Sequence, residues 1–175
     1  MRVNWRLRMR ELHRMGAVFV ALPFLVVIAT GMLLQLKKDL HWIQPRTTRG
    51  VGTAPEISFE RILDAARAVP EANVTDWGDI DRLDVRPGLG IVKVQTHNHW
   101  EVQVDLQTAD VKQVAFRRSD VIESLHDGSW FHPRAKLLVF TPMAVVLLGL
   151  WLTGIYLFVL PHAVRRDRRR RNATR

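Results

Sequence analysis

Trp100-Glu101-Val102-Gln103-Val104-Asp105-Leu106 alternates without a break, apolar at every even position and polar at every odd one. Successive side chains of a strand point to opposite faces, so the pattern predicts a β-strand with one face in a core and one in water. Such a strand needs partners. Thr108-Ala109-Asp110 offers a turn after it, and Val111–Phe116 reads as the returning strand. On the other side, His97-Asn98-His99 makes a hairpin tip and Ile91–Thr96 the preceding strand, with Val92 and Val94 on one face. Pro87-Gly88-Leu89-Gly90 turns the chain again, after a strand over Ile80–Val85. Ahead of these strands, apolar residues at 59, 62, 63 and 66 predict a helix over Ile57–Val69, capped by Ser58 and stopped by Pro70. Ser119 is the expected cap of a second short helix, Asp120–Leu125. The middle of the chain therefore reads as one small helix-plus-antiparallel-sheet domain, and the fold class as α+β.

Outside this domain the sequence changes character. Met15–Leu36 and Leu137–Leu160 contain no charged side chain. Each is long enough to cross a hydrocarbon core of about 30 Å. Pro23 is expected to kink the first helix by removing one backbone bond. Pro142 falls near the start of the second, where a missing amide costs least, and Pro161-His162 reads as its end. A cleaved secretory leader competes with the anchor reading of the first run, because a basic segment precedes it. The run passes straight into Gln35-Leu36-Lys37-Lys38 with no small-x-small site, which favours an uncleaved anchor. Arg46–Pro55, rich in Thr, Gly and Pro, reads as a linker.

The formal charge of +9 is concentrated at the ends. Residues 1–14 hold five Arg and one Glu, and residues 161–175 hold seven Arg and one Asp. The stretch between the apolar runs is near neutral, which argues against nucleic acid as a partner. Basic segments abutting apolar runs set membrane orientation and stay in the cytoplasm. The expected order is a cytoplasmic basic N-terminus (1–14), transmembrane helix (15–36), periplasmic domain with linkers (37–136), transmembrane helix (137–160) and cytoplasmic Arg-rich tail (161–175). The expected location is a bacterial inner membrane. Arg165, Arg166, Arg168, Arg169, Arg170 and Arg171 are candidates for binding anionic lipid headgroups, at about 1 kcal/mol each near the surface. Small residues at Gly16, Ala17, Gly149, Thr153 and Gly154 would let helices approach closely.

There is no cysteine, which excludes a disulfide framework, a thiolate metal site and a Cys nucleophile. Seven histidines remain, none inside an apolar run. His13 and His162 lie at the cytoplasmic ends of the spans, while His41, His126 and His132 lie near the outer ends. His97 and His99 share a strand-like spacing, but two ligands fall short of a metal site, so they read as an exposed turn. His126-Asp127 has the pairing of a base and its orienting carboxylate. No Ser is placed by a nucleophile motif, so Asp127-Gly128 reads as the turn into the second span.

Several stretches together resemble the PepSY-associated transmembrane family. Leu12-His13-Arg14-x-Gly16 resembles its entry motif, and Thr30-Gly31 with Leu33-Leu34-Gln35-Leu36-Lys37-Lys38 and Trp42-Ile43-Gln44-Pro45 the exit of its first span. Ile57–Pro70 followed by residues 102–111 is similar to a PepSY domain, with Thr108-Ala109 where a Thr-Gly turn is usual. Leu125-His126-Asp127-Gly128 and Thr153-Gly154-Ile155-Tyr156-Leu157 match the return motifs. The resemblance implies two transmembrane helices flanking one PepSY-like domain. Some family members are similar to siderophore-linked ferric reductases that hold haem b between histidines. That implies His13, His162, His126, His41 and His132 as candidate haem ligands, since haem iron takes imidazole nitrogens axially. Three functions are thus in view. The first is a non-catalytic accessory subunit, docking a larger membrane complex or a second copy through its domain and spans. The second is a haem b electron-transfer module in ferric-siderophore reduction, and the third a periplasmic peptidase modulator.

Overall fold

A computed structural model describes residues 5–173; the side chains of Arg6, of residues 162–171 and of Ala173 lie outside that description. The chain forms two units, residues 30–124 and residues 1–29 with 125–175.

In the first unit the alternating stretch forms the third strand of a four-stranded antiparallel sheet. Strands β1 (Ile80–Arg86), β2 (Ile91–Thr96), β3 (Trp100–Asp105) and β4 (Val111–Phe116) pair in sequence order. The register sets Leu83 opposite Val94, Val94 opposite Val102, and Val102 opposite Val114. Val85, Val92 and Val104 form the next row. Stiff, branched side chains suit a pleated surface. Helix α2 (Phe59–Arg67) covers this valine face with Ile62, Leu63 and Ala66, all buried. Burying each large aliphatic side chain contributes roughly 1.5–3 kcal/mol, so this face is the hydrophobic core. Ser58 caps α2 by accepting from the Arg61 amide at 3.3 Å. The helix is two residues shorter at each end than the pattern over 57–69 implied.

The odd positions of β3 depart from expectation. Glu101, Gln103 and Asp105 are buried, although alternation assigned them to water. The reason is the stretch expected to be a linker, which lies along the polar face as a strap. Gln103 Oε1 accepts from the amide and hydroxyl of Thr48, both at 2.8 Å, and its Nε2 donates to the Arg46 carbonyl at 2.7 Å. The Val51 amide donates to Asp105 Oδ2 at 2.8 Å, and the Gly50 amide to the Leu89 carbonyl. A Cβ at Gly50 would overlap the carbonyl oxygen of Gly90, so the close passage requires glycine.

Helix α3 (Arg118–Asp127) follows β4. Ser119 is not its cap. Ser119 sits inside the helix, its amide donating to the Ile43 carbonyl and its hydroxyl to Asp120 Oδ1.

Helix α1 (Trp5–Gln35) starts within the basic segment and runs unbroken past Pro23. Helix α4 (Thr141–Ala173) has Pro142 in its first turn and follows one wide turn at Lys136–Phe140. It does not end at Pro161. The ring removes one amide bond, and the arginine-rich sequence beyond has high helix propensity and carries the helix on. Two stretches, Leu7–Gln35 and Lys136–Pro161, are long and apolar enough to cross a membrane. Their large side chains, among them Phe19, Leu22, Trp151 and Phe158, are exposed.

Candidate functional site

The polar face of the sheet holds a charged network with Glu101 at its centre. The Glu101 carboxylate takes Lys93 Nζ at 3.4 Å, Gln103 Nε2 at 2.8 Å and the Arg117 guanidinium. Arg117 reaches onward to Asp120 at 3.0 Å. Lys93, Glu101 and Arg117 are all nearly inaccessible to solvent. Burial opposes the Arg117 charge, but Asp120 and Glu101 outweigh it and raise its pKa above the ordinary value. Asp105 forms a second node. Burial works against its charge, while the amides of Gln107, Val51 and Thr108 and the Lys112 ammonium hold its carboxyl below the usual carboxylate range. Every group here satisfies another, and together they fasten strap, sheet and α3.

None of these groups follows from the sequence as a site. The signal for them is slight: Lys, Gln, Glu and Asp at the odd positions of two neighbouring strands, where an exposed face tolerates any polar residue.

Two of the histidines bond across helices. On α1, His13 faces Thr153 of α4, with Nδ1 at 2.9 Å from Oγ1. The Thr153 hydroxyl lies 2.8 Å from the Gly149 carbonyl and donates there, so it accepts from His13. In that arrangement Nδ1 carries a proton and donates it to the Thr153 hydroxyl. Small residues frame the contact: a Cβ on Gly154 would meet His13 at 3.5 Å, and one on Gly16 would press on Leu150 at 3.1 Å. Gly149 is exposed with nothing near it, so this glycine does not serve the α1–α4 contact.

His126 at the end of α3 donates Nδ1 to the Val27 carbonyl of α1 at 3.1 Å. Val27 stands fourteen residues beyond His13, about 21 Å of helix. Two axial imidazoles flank a single iron atom, so His13 and His126 of one copy do not form such a pair. His132 is exposed and accepts from the Arg134 amide. In the other unit, His41 accepts from Arg46 Nε. His162 and the six tail arginines lie outside the described side chains. Among the described residues, no three His, Cys, Asp or Glu side chains gather as a metal would need.

Beside His126 lies an apolar cleft of about 380 Å³, walled by Val20, Phe24, Phe140 and Leu147. Its polar end is Asp127, paired to Lys136 at 3.0 Å. Burial opposes the Asp127 charge, yet hydrogen bonds from Ser129 and the Lys136 ammonium lower its pKa to about 2. The expected turn is here, since the Ser129 amide donates to Asp127 and Gly128 takes φ +81°. The arrangement positions the carboxylate as an anchor for the chain entering α4.

A family model described as PepSY-associated TM region matches residues 6–175. The match takes in both apolar helices as well as the sheet. No curated protein and no solved structure matches the chain.

Proposed function

The chain belongs to the family of PepSY-associated TM regions, and from that premise we propose that it is a non-catalytic accessory subunit of a membrane complex. It is a membrane protein with two candidate spans and a PepSY domain. In this reading the spans pack on helices of the partner, and the domain docks on the partner's outer surface. The observation that carries it is how the domain uses its ionisable groups. Glu101, Lys93, Arg117, Asp105 and Asp120 are spent on one another and on the strap, which makes a rigid platform. The reading places the protein in a bacterial inner membrane with both termini cytoplasmic and the domain periplasmic. Arg165, Arg166, Arg168, Arg169, Arg170 and Arg171 then meet anionic lipid on the cytoplasmic side.

Purification from membranes in mild detergent tests the proposal. A membrane partner in fixed stoichiometry is the expected result, and a lone monomer overturns it. A reduced-minus-oxidised Soret difference would instead assign the function to haem b electron transfer. A peptidase whose activity changes when the chain is deleted would assign it to peptidase modulation. A reporter fused after Arg175 must be active only in the cytoplasm; activity on the exported side overturns the topology.

A further inference from the structure

Strands β1 and β2 and the chain leading into the strap enclose a cleft of about 800 Å³ on the polar side of the sheet. Its charge is one-sided. Arg82 and Arg86 of β1 and Lys93 of β2 line it, with Lys37, Lys38 and Arg46 opposite in sequence and Arg117 beside them. Against these seven cations, Asp84 is the single lining carboxylate. Three more carboxylates pair with lining cations from behind: Asp81 with Arg82, Glu101 with Lys93 and Arg117, and Asp120 with Arg117. Three positive charges remain in surplus.

The surplus is local to the segment that leads into the strap. The Lys93 side chain is 4% exposed, and it shares Glu101 with Arg117. Lys93 and Arg117 are matched by Glu101 and Asp120, so this buried cluster is neutral as a set and the surplus falls on Lys37, Lys38 and Arg46. Arg86 is tied to Asp84 by paired contacts of 2.8–3.0 Å, so its guanidinium is held in place and not free to swing into solvent. Preorganised guanidinium forks match the oxygens of phosphate, and ammonium groups add point charge.

We infer that this cleft is a binding site for a phosphate-bearing ligand. Lys37 and Lys38 follow the last residue of α1 by two and three positions, so in a spanning protein they lie at headgroup depth. The phosphate can therefore be the phosphodiester of an anionic lipid or belong to a soluble molecule.

The test uses the full chain in mild detergent with two probes. Retention of phosphatidylglycerol over phosphatidylcholine is read by native mass spectrometry, and binding of inorganic pyrophosphate by calorimetry. Arg82 and Arg86 are exposed, so the double variant R82Q/R86Q is expected to fold, checked by an unchanged melting temperature. Arg61→Gln on exposed α2 is the control. The double variant is expected to weaken binding of the true probe by about tenfold or more, because two charge-assisted contacts are lost. Arg61→Gln leaves binding unchanged. Selective loss of phosphatidylglycerol identifies the lipid source, and selective loss of pyrophosphate the soluble one. If wild type binds neither probe, or if R82Q/R86Q binds both as wild type does, the inference is overturned.

Discussion

The two faces of one sheet are buried by opposite means. Toward α2, valines meet aliphatic side chains, and contact with water is lost without any polar group left over. Toward the strap, Lys93, Gln95, Glu101, Gln103 and Asp105 are buried to a similar degree, with hydrogen bonds and ion pairs replacing hydration. The first face tolerates small losses in proportion to area. The second is unforgiving, because removing one partner strands the others. Equal burial therefore does not mean equal sensitivity.

The sharpest way to break that comparison is Glu101→Gln. It leaves Lys93 and Arg117 buried against a neutral amide, and the expected cost is about 3–5 kcal/mol in thermal unfolding of the solubilised chain. Val94→Ala, at the centre of the valine face, removes two methyl groups and should cost about 2–3 kcal/mol. If Val94→Ala proves the more damaging, the contrast between the faces fails.

Asp105→Asn comes next, at about 1–2 kcal/mol. Its signature is local: hydrogen exchange at the amides of Val51, Gln107 and Thr108 accelerates, while the valine strands stay protected. Acid should mimic it. The Asp105 carboxyl is held below its ordinary value of 3.8, so its stabilisation is complete above that pH and fades as pH falls below it. Asp127 follows the same sign, its contribution disappearing between about pH 4 and its folded pKa of about 2. Exchange at the Ser129 amide across that range reads it.

The smallest effect has the opposite direction. Ala109 sits in the β3–β4 turn at φ +66°, a left-handed conformation that an alanine adopts at a cost. Ala109→Gly should raise stability by about 0.5–1 kcal/mol, visible as a higher melting temperature. No gain would mean that the methyl packing against the core outweighs the backbone strain.

The valine face is legible in the sequence because its signal is periodic and local. Val102 and Val104, then Val92 and Val94, declare strand and core side together. The polar face gives no such signal. Thr48 and Val51 sit in a stretch with the composition of a loose connection, and their partners Gln103 and Asp105 lie more than fifty positions away. A glutamine that satisfies a distant backbone looks the same, in one dimension, as a glutamine that faces water. Ordering the histidines by membrane side groups His13 with His162, and His126 with His41 or His132, while the bonds of His13 to Thr153 and of His126 to Val27 span sequence distances that no local pattern marks. The end of α4 is ambiguous in sequence because chemistry competes there: Pro161 argues for a stop, and the arginines after it argue for continuation.

The strap also lacks the freedom that its composition suggests. Twenty residues of free coil, from Leu36 to Pro55, would wander over roughly 25 Å. Here the stretch is turned tightly between Leu36 and Ile43 and then stitched to the sheet at Arg46, Thr48, Gly50 and Val51. Such a stretch has no slack, and the chain entropy it gives up is offset by the hydrogen bonds that hold it along the sheet.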